Sequence, residues 1–191
     1  MKSVASAAGT RARRPRAAPA IDIVVESPLW KAQRGVRAVL QRAIGEAAAM
    51  TAMSGGKAAA MAATSGGELA IVLTDDSAIR ALNRDWRGKD QPTNVLSFPA
   101  PAAARTLPGQ PGEVRLIGDI VIAYETVERE ARAEQRPFRH HLAHLAVHGF
   151  LHLVGHDHVV EAEADAMEAL EIAVLARLDV PNPYLLRDAE A

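Results

Sequence analysis

Apolar residues recur along this chain in two rhythms, and the two rhythms divide it into strands and helices. "IDIVVE" (21–26) alternates with the period of a half-buried strand, and Pro28 then opens a stretch in which Leu29, Val36, Leu40 and Ile44 share one helical face. "ELAIVLTDD" (68–76) reads as a strand running into an aspartate N-cap, and "SAIRALNRDWRG" as a helix stopped by Gly88. "NVLSFP" (94–99) and "LIGDIVIAY" (116–124) are strands on either side of a proline-rich loop, and "ETVEREARAEQ" after them is a helix. A last helix from Glu161 to about Leu178 buries Ala164, Met167, Leu170 and Val174 and exposes its acids. Strands mixed with helices and no internal repeat predict an α+β fold, a small mixed sheet of about four strands packed with helices.

One helical segment departs from amphipathic patterning. "FRHHLAHLAVHGFLHLV" (138–154) is apolar almost all the way round, the pattern of a helix buried at the centre of a domain. Apart from Arg139 in its first turn, its polar exceptions are histidines. At 100° per residue His141, His144, His148 and His152 form one stripe, while Leu142, Leu145, Ala146 and Leu153 lie off it. All seven histidines of the chain fall between positions 140 and 158.

Composition narrows the setting of this helix. A chain of 191 residues suits one domain with a real core, and residues 21–185 are assigned to it. The opening 1–20 segment carries five basic residues and no acid, without the apolar run of a secretory signal, and is expected to be a disordered basic arm. A mitochondrial transit peptide shares that composition, but Pro15 and Pro19 oppose an amphipathic helix. "SGGKAAAMAATSGG" (54–67) reads as a flexible loop, and 186–191 as a tail. Without the arm the charge falls from −1 to about −6, so binding of nucleic acid by bulk charge is disfavoured and phosphate contacts need a local basic patch. There is no cysteine, hence no disulfide partner and no thiolate metal site, which fits a reducing, cytoplasmic setting. No apolar run approaches the roughly 20 residues of a membrane span.

Against this background the histidines point to a metal. His148 and His152 are four apart on a helix, a spacing that brings both rings to one ion. Gly155 is placed to end the helix in a left-handed turn, returning His156 or His158 toward the same point. Three neutral imidazoles with an open fourth position are the ligand set of a catalytic zinc. The spacing through His158 is that of the metzincin peptidases, except that Gly149 stands where those enzymes carry the glutamate that activates water. Glycine abstracts no proton, and inside a helix it costs about 1 kcal/mol against alanine, so something is expected to approach the backbone there. His144 or His141 is a candidate base, with support of the ligands or of the core as the alternative role. A second cluster, Arg84, Arg87 and Lys89, sits at a helix end before the turn into the strand at 94–99. Such cations complement a helix dipole, and planar arginine forks also hold phosphodiesters. Metal and arginine together suggest phosphoryl chemistry.

"LNRDWRGKDQPTNVLSFP" (82–99), "LIGDIVIAYETVEREARAEQRPFRHHLAHLAVHGFLHLVGHDH" (116–158) and the "EAEADAMEALE" helix, in that order, resemble the YbeY family, metal-dependent endoribonucleases also called rRNA maturation factors. The resemblance spans roughly residues 68–185 and implies one zinc per chain on His148, His152 and His158. It implies a role in RNA cleavage for Arg87; His148 is the second candidate catalytic residue, and the basic cluster Arg84, Arg87 and Lys89 is the candidate RNA contact. The implied substrate is single-stranded RNA, in 16S rRNA 3′-end maturation and ribosome quality control on the small ribosomal subunit, in the cytoplasm. The arm and the 54–67 loop are longer than the family pattern requires. His156 stands where the family usually has an aromatic residue, and the metzincin-like spacing favours His158 as third ligand. Either a metal-bound water or the RNA 2′-OH is the nucleophile, the latter leaving a cyclic phosphate. Competing readings are a zinc metallopeptidase-like hydrolase and a noncatalytic ribosome-assembly factor with a structural metal.

Overall fold

Residues 18–54, 67–101, 115–158 and 160–185 are described in the computed structural model of this protein. The expected arm, the 54–67 loop and the 186–191 tail lie almost wholly outside these residues. Four strands, β1 (Ala20–Val25), β2 (Gly67–Thr74), β3 (Val95–Pro99) and β4 (Arg115–Ala123), form one sheet in the order β1-β2-β4-β3. β1, β2 and β4 run parallel, and β3 closes one edge antiparallel to β4. The helices are α1 (Val36–Ser54), α2 (Asp76–Arg87), α3 (Tyr124–Ala133), α4 (Phe138–Leu153) and α5 (Glu161–Ala176). The α+β class and the four-stranded mixed sheet are as the apolar rhythms predict. No helix of the described residues is long and apolar enough to cross a membrane.

The histidine-bearing α4 is the centre of the packing. α1, α3, α5 and strands β3 and β4 all lie against it, and Leu142, Ala146, Val147, Phe150, Leu151 and Leu153 are sealed from water. Leu69, Ile71 and Leu73 of β2 and Ile120 and Ile122 of β4 join this core. Successive strand residues point to opposite faces, so Val72 and Val121 pack instead with Ile79 and Leu82 of α2. The sheet is thus covered on both sides where α2 crosses it, as parallel strands require.

Three details differ from the pattern-based expectation. The stretch from Pro28 is a 3-10 turn (Pro28–Ala32) and a separate α1, divided at Gly35, whose φ of 76° no right-handed helix accommodates. Leu29 is consequently 41% exposed, and Trp30 is the buried residue, donating its indole N–H to the Thr74 carbonyl at 2.8 Å. α5 stops at Ala176, with Ala164 and Leu170 only half-buried. Its acids are not all outside: Glu171 is 1% exposed, four residues after the buried Met167 on the same face.

Helix ends follow the chemistry of their residues. Asp75 accepts from the Ala78 N–H at the start of α2, and Gly88 ends that helix in the left-handed conformation. The loop after α2 is pinned by the buried Asn83, whose amide donates to the Gln91 carbonyl at 2.8 Å. Gly118, with φ of 141°, lies at a bulge where β4 skips a residue against β2. A Cβ there meets the Phe98 carbonyl oxygen at 2.3 Å, a backbone atom that has nowhere to go. Gly118→Ala is expected to cost more than about 2 kcal/mol of stability in denaturant unfolding. Gly88→Ala, with φ of 68° but open space around it, is expected to cost about 1–2 kcal/mol.

Candidate metal centre

Two features of α4 build the site. Helical geometry stacks His144, His148 and His152 along one stripe, and the helix end then reverses the chain. Gly155, at φ 93°, donates to the His152 carbonyl at 3.1 Å while the His156 N–H reaches the Leu151 carbonyl at 3.0 Å, the paired bonds of a Schellman turn. That turn returns His158 to the stripe. The Asp157 carboxylate accepts from the His158 backbone N–H at 2.8 Å and steadies the returning segment. Ligand atoms of His148, His152 and His158 lie within 4.8 Å of one another.

Each helical imidazole is turned by a partner on its other nitrogen. His148 Nδ1 donates to Glu171 at 2.8 Å, and His152 Nδ1 donates to the His156 carbonyl at 3.1 Å. Both acceptors lack protons, so both rings direct Nε2 inward, and the two Nε2 atoms stand 3.2 Å apart. Burial, with the neighbouring His148 and His158, lowers the His152 pKa to about 4, so its Nε2 carries a lone pair at neutral pH. Nitrogens about 2.0–2.1 Å from one tetrahedral ion lie about 3.3–3.4 Å apart, so the spacing fits an ion between them. The three residues can hold a metal ion. His156 takes no place in this cluster: its ring points into the protein, where Nε2 is buried without a hydrogen-bond partner among the described residues.

Behind the ligands lies a carboxylate that pattern reading places at the surface. Glu171 accepts from His148, from His144 Nε2 at 3.1 Å and from the Tyr184 hydroxyl. Burial pushes its carboxyl up, but the hydrogen bonds and charges of His144 and His148 outweigh burial and hold it at about 2. Glu130 does the same for an earlier turn of the helix, accepting from His141 Nε2 at 2.8 Å and from the Asn94 amide at 2.9 Å. This ties α4 to the turn that starts β3. His141 and His144 are thus committed to carboxylates; both line a separate cavity of about 450 Å3 that His148 and His158 also reach, and neither lines the cleft shared by all three triad histidines and Arg87. The signal for Glu171 lies in its place on the Met167–Val174 stripe.

That cleft encloses about 480 Å3 and is lined by the triad, by Ser97 and Pro99 of β3, and by Arg87. Among the described residues Arg87 makes no ion pair, whereas Arg84 is held by Asp85 at 2.9 Å. Arg84 and Lys89 do not line the cleft. Gly149 explains itself here. The sheet comes so near α4 that a Cβ at this position meets Ile120 Cγ2 and Ser97 Oγ at 3.1 Å, and Ser97 donates to the Gly149 carbonyl.

Fold and site together define an α+β protein whose buried helix presents a three-histidine centre able to hold a metal ion, with an arginine facing the same cleft. The family model described as Endoribonuclease YbeY matches residues 32–179, and the chain belongs to that family. It is 51% identical over 170 residues to the endoribonuclease YbeY of Rhodopseudomonas palustris (strain BisA53), covering 89% of this chain and 92% of that protein. It is 52% identical over 169 residues to that of Nitrobacter winogradskyi, covering 88% of this chain and 83% of the relative.

Metal titration separates the ligands from their supports. His158→Ala is expected to abolish stoichiometric metal binding, and His156→Ala to retain it. Glu171→Gln is expected to weaken affinity by roughly 10–100-fold, the usual cost of losing a carboxylate behind a ligating histidine. Competition with a chromogenic chelator measures all three.

Proposed function

We propose that this chain is a zinc-dependent endoribonuclease that cuts single-stranded RNA, acting in rRNA processing at the 3′ end of 16S rRNA and in ribosome quality control on the small subunit. One observation carries the reading: Arg87, from the end of α2, faces the same cleft as the histidines of α4. An RNA-cutting centre needs a way to polarise a phosphate and a cation to hold it, and the cleft offers both. The names of the relatives, at about half identity over most of the chain, agree with it.

His148, His152 and His158 would hold the ion, which when bound would supply Lewis acidity and lower the pKa of a coordinated water. The chain's own residues do the rest. Glu171 and the His156 carbonyl fix the tautomers of His148 and His152, so both present lone pairs without rearrangement. Arg87 offers a planar fork to the non-bridging oxygens and offsets the charge that gathers on them in the transition state. The exposed position of Arg87 leaves it room to follow a flexible strand. A peptidase reading lacks its base, since Ile120 and Ser97 stand where a glutamate side chain at 149 would begin.

Purified protein is expected to cut a single-stranded RNA with zinc present and to stop with chelator, and end-mapping of the products distinguishes attack by water from attack by the 2′-OH. Arg87→Lys keeps the charge but loses the fork, so it is expected to retain zinc and melting temperature while cleaving at least roughly tenfold more slowly, about 1.4 kcal/mol of barrier. Near wild-type cleavage by this variant and by Arg87→Ala removes Arg87 from the reaction.

A further inference from the structure

Trp86 is the one aromatic among the large apolar side chains that the described residues leave exposed, with 71% of its surface in water. An indole left so open on the last turn of a helix asks for an occupant. Its edge meets Phe98 of β3, ring centres 5.5 Å apart at 66°, so the ring is held in place although its outer face is free. Arg84 and Arg87 flank it in sequence. Over residues 80–90 four cations, Arg80, Arg84, Arg87 and Lys89, stand against two acids, Asp85 and Asp90, a local positive excess in a chain of net charge −1.

Position decides which occupant fits. Trp86 and Phe98 line a second groove, of about 880 Å3, on the opposite side of β3 from the histidines. Ser97 and Pro99 line both the groove and the metal cleft, so the two are continuous around that strand edge. Asp119 faces the groove directly across from Phe98, and Asp22 and Glu68 lie beyond it on β1 and β2, so the sheet side of the groove disfavours a phosphate chain. A polyanion is therefore welcome only on the side of Trp86 turned toward Arg87 and the metal cleft. An exposed ring with cations around it, contiguous with a phosphate-cutting cleft, is the combination that binds unpaired bases by stacking and their backbone by charge.

We propose that Trp86, backed by Phe98, is a stacking platform for an unpaired base of the RNA strand next to the phosphate held at Arg87. The proposal rests on the endoribonuclease reading of the metal cleft. It also gives the site a physical preference for single strands, because a base paired in a duplex cannot turn its face to the indole.

The fluorescence of the full chain reads this directly. Of its two tryptophans Trp30 is 3% exposed, so the solvent-exposed emission belongs to Trp86. A short unstructured RNA, added with chelator present so that nothing is cut, is expected to quench that emission, and the same RNA in a perfect duplex is not. In zinc-loaded protein Trp86→Leu is expected to raise KM for single-stranded RNA about tenfold, with zinc content, melting temperature and kcat near wild type, and Trp86→Phe to recover most of the loss. If the wild type cuts RNA while its indole is not quenched and Trp86→Leu keeps its KM, the platform is overturned and the nuclease reading stands. If the wild type cuts no RNA in the presence of zinc, both fall. A shift of the wild type from dimer to monomer on Trp86→Leu, with KM unchanged, makes the groove a contact between copies of this chain and overturns the platform as well.

Discussion

An ionised carboxylate in a protein interior is tolerated only when donors surround it, and Glu171 is the point on which that constraint falls here. It is closed off from water and answered by three donors, His144, His148 and Tyr184. Two of the donors, His144 and His148, come from successive turns of one stripe of α4, and the third, Tyr184, from the segment after α5. One buried charge therefore locks α5 onto α4, draws the C-terminal segment over them and fixes the ring of a triad histidine. The Arg136 side chain, bonded to the Pro183 carbonyl, holds that segment from the other side.

The same economy runs along the rest of the stripe. Glu130 bridges His141 of α4 and Asn94 at the entrance to β3, so the strand that forms one wall of the cleft is referenced to the helix that forms the other. Asn94 also accepts from the Val95 N–H at 2.7 Å through its side-chain oxygen, which leaves no slack at the turn. On the α2 side Asn83 and the left-handed Gly88 set where the helix stops, and with it where Arg87 begins to reach. Rigid partners behind each functional side chain are what a transition-state-binding site requires, because an arginine or a ligand displaced by an ångström loses much of its effect.

Gly149 shows how packing and chemistry exclude each other at one position. The helix and the sheet meet there closely enough that Ser97 bonds the helix backbone. A site that shares its histidine spacing with zinc peptidases is thereby denied their general base, and the space is used for contact between α4 and β3. What faces the cleft instead is Arg87 from the neighbouring helix, a group suited to phosphate oxygens.

Much of this is legible in the residues alone. Period-two and period-3.6 patterning determines the four strands and the five main helices, since burial of apolar side chains on one face is a local property of sequence. The i, i+4 pair His148 and His152 and the turn at Gly155 are local as well, and they suffice to suggest a metal. Only the tertiary structure decided what depends on distant contacts. Leu29 is exposed and Trp30 buried because Gly35 breaks the helix and Thr74 offers the indole an acceptor. His158 and not His156 joins the pair because the Schellman turn aims the His156 carbonyl at His152 and its ring inward. Local pattern puts Glu171 at the surface because an acid on a helix is usually solvated. Its burial becomes favourable only once α4 supplies histidine donors from more than twenty residues away, a compensation no local pattern contains.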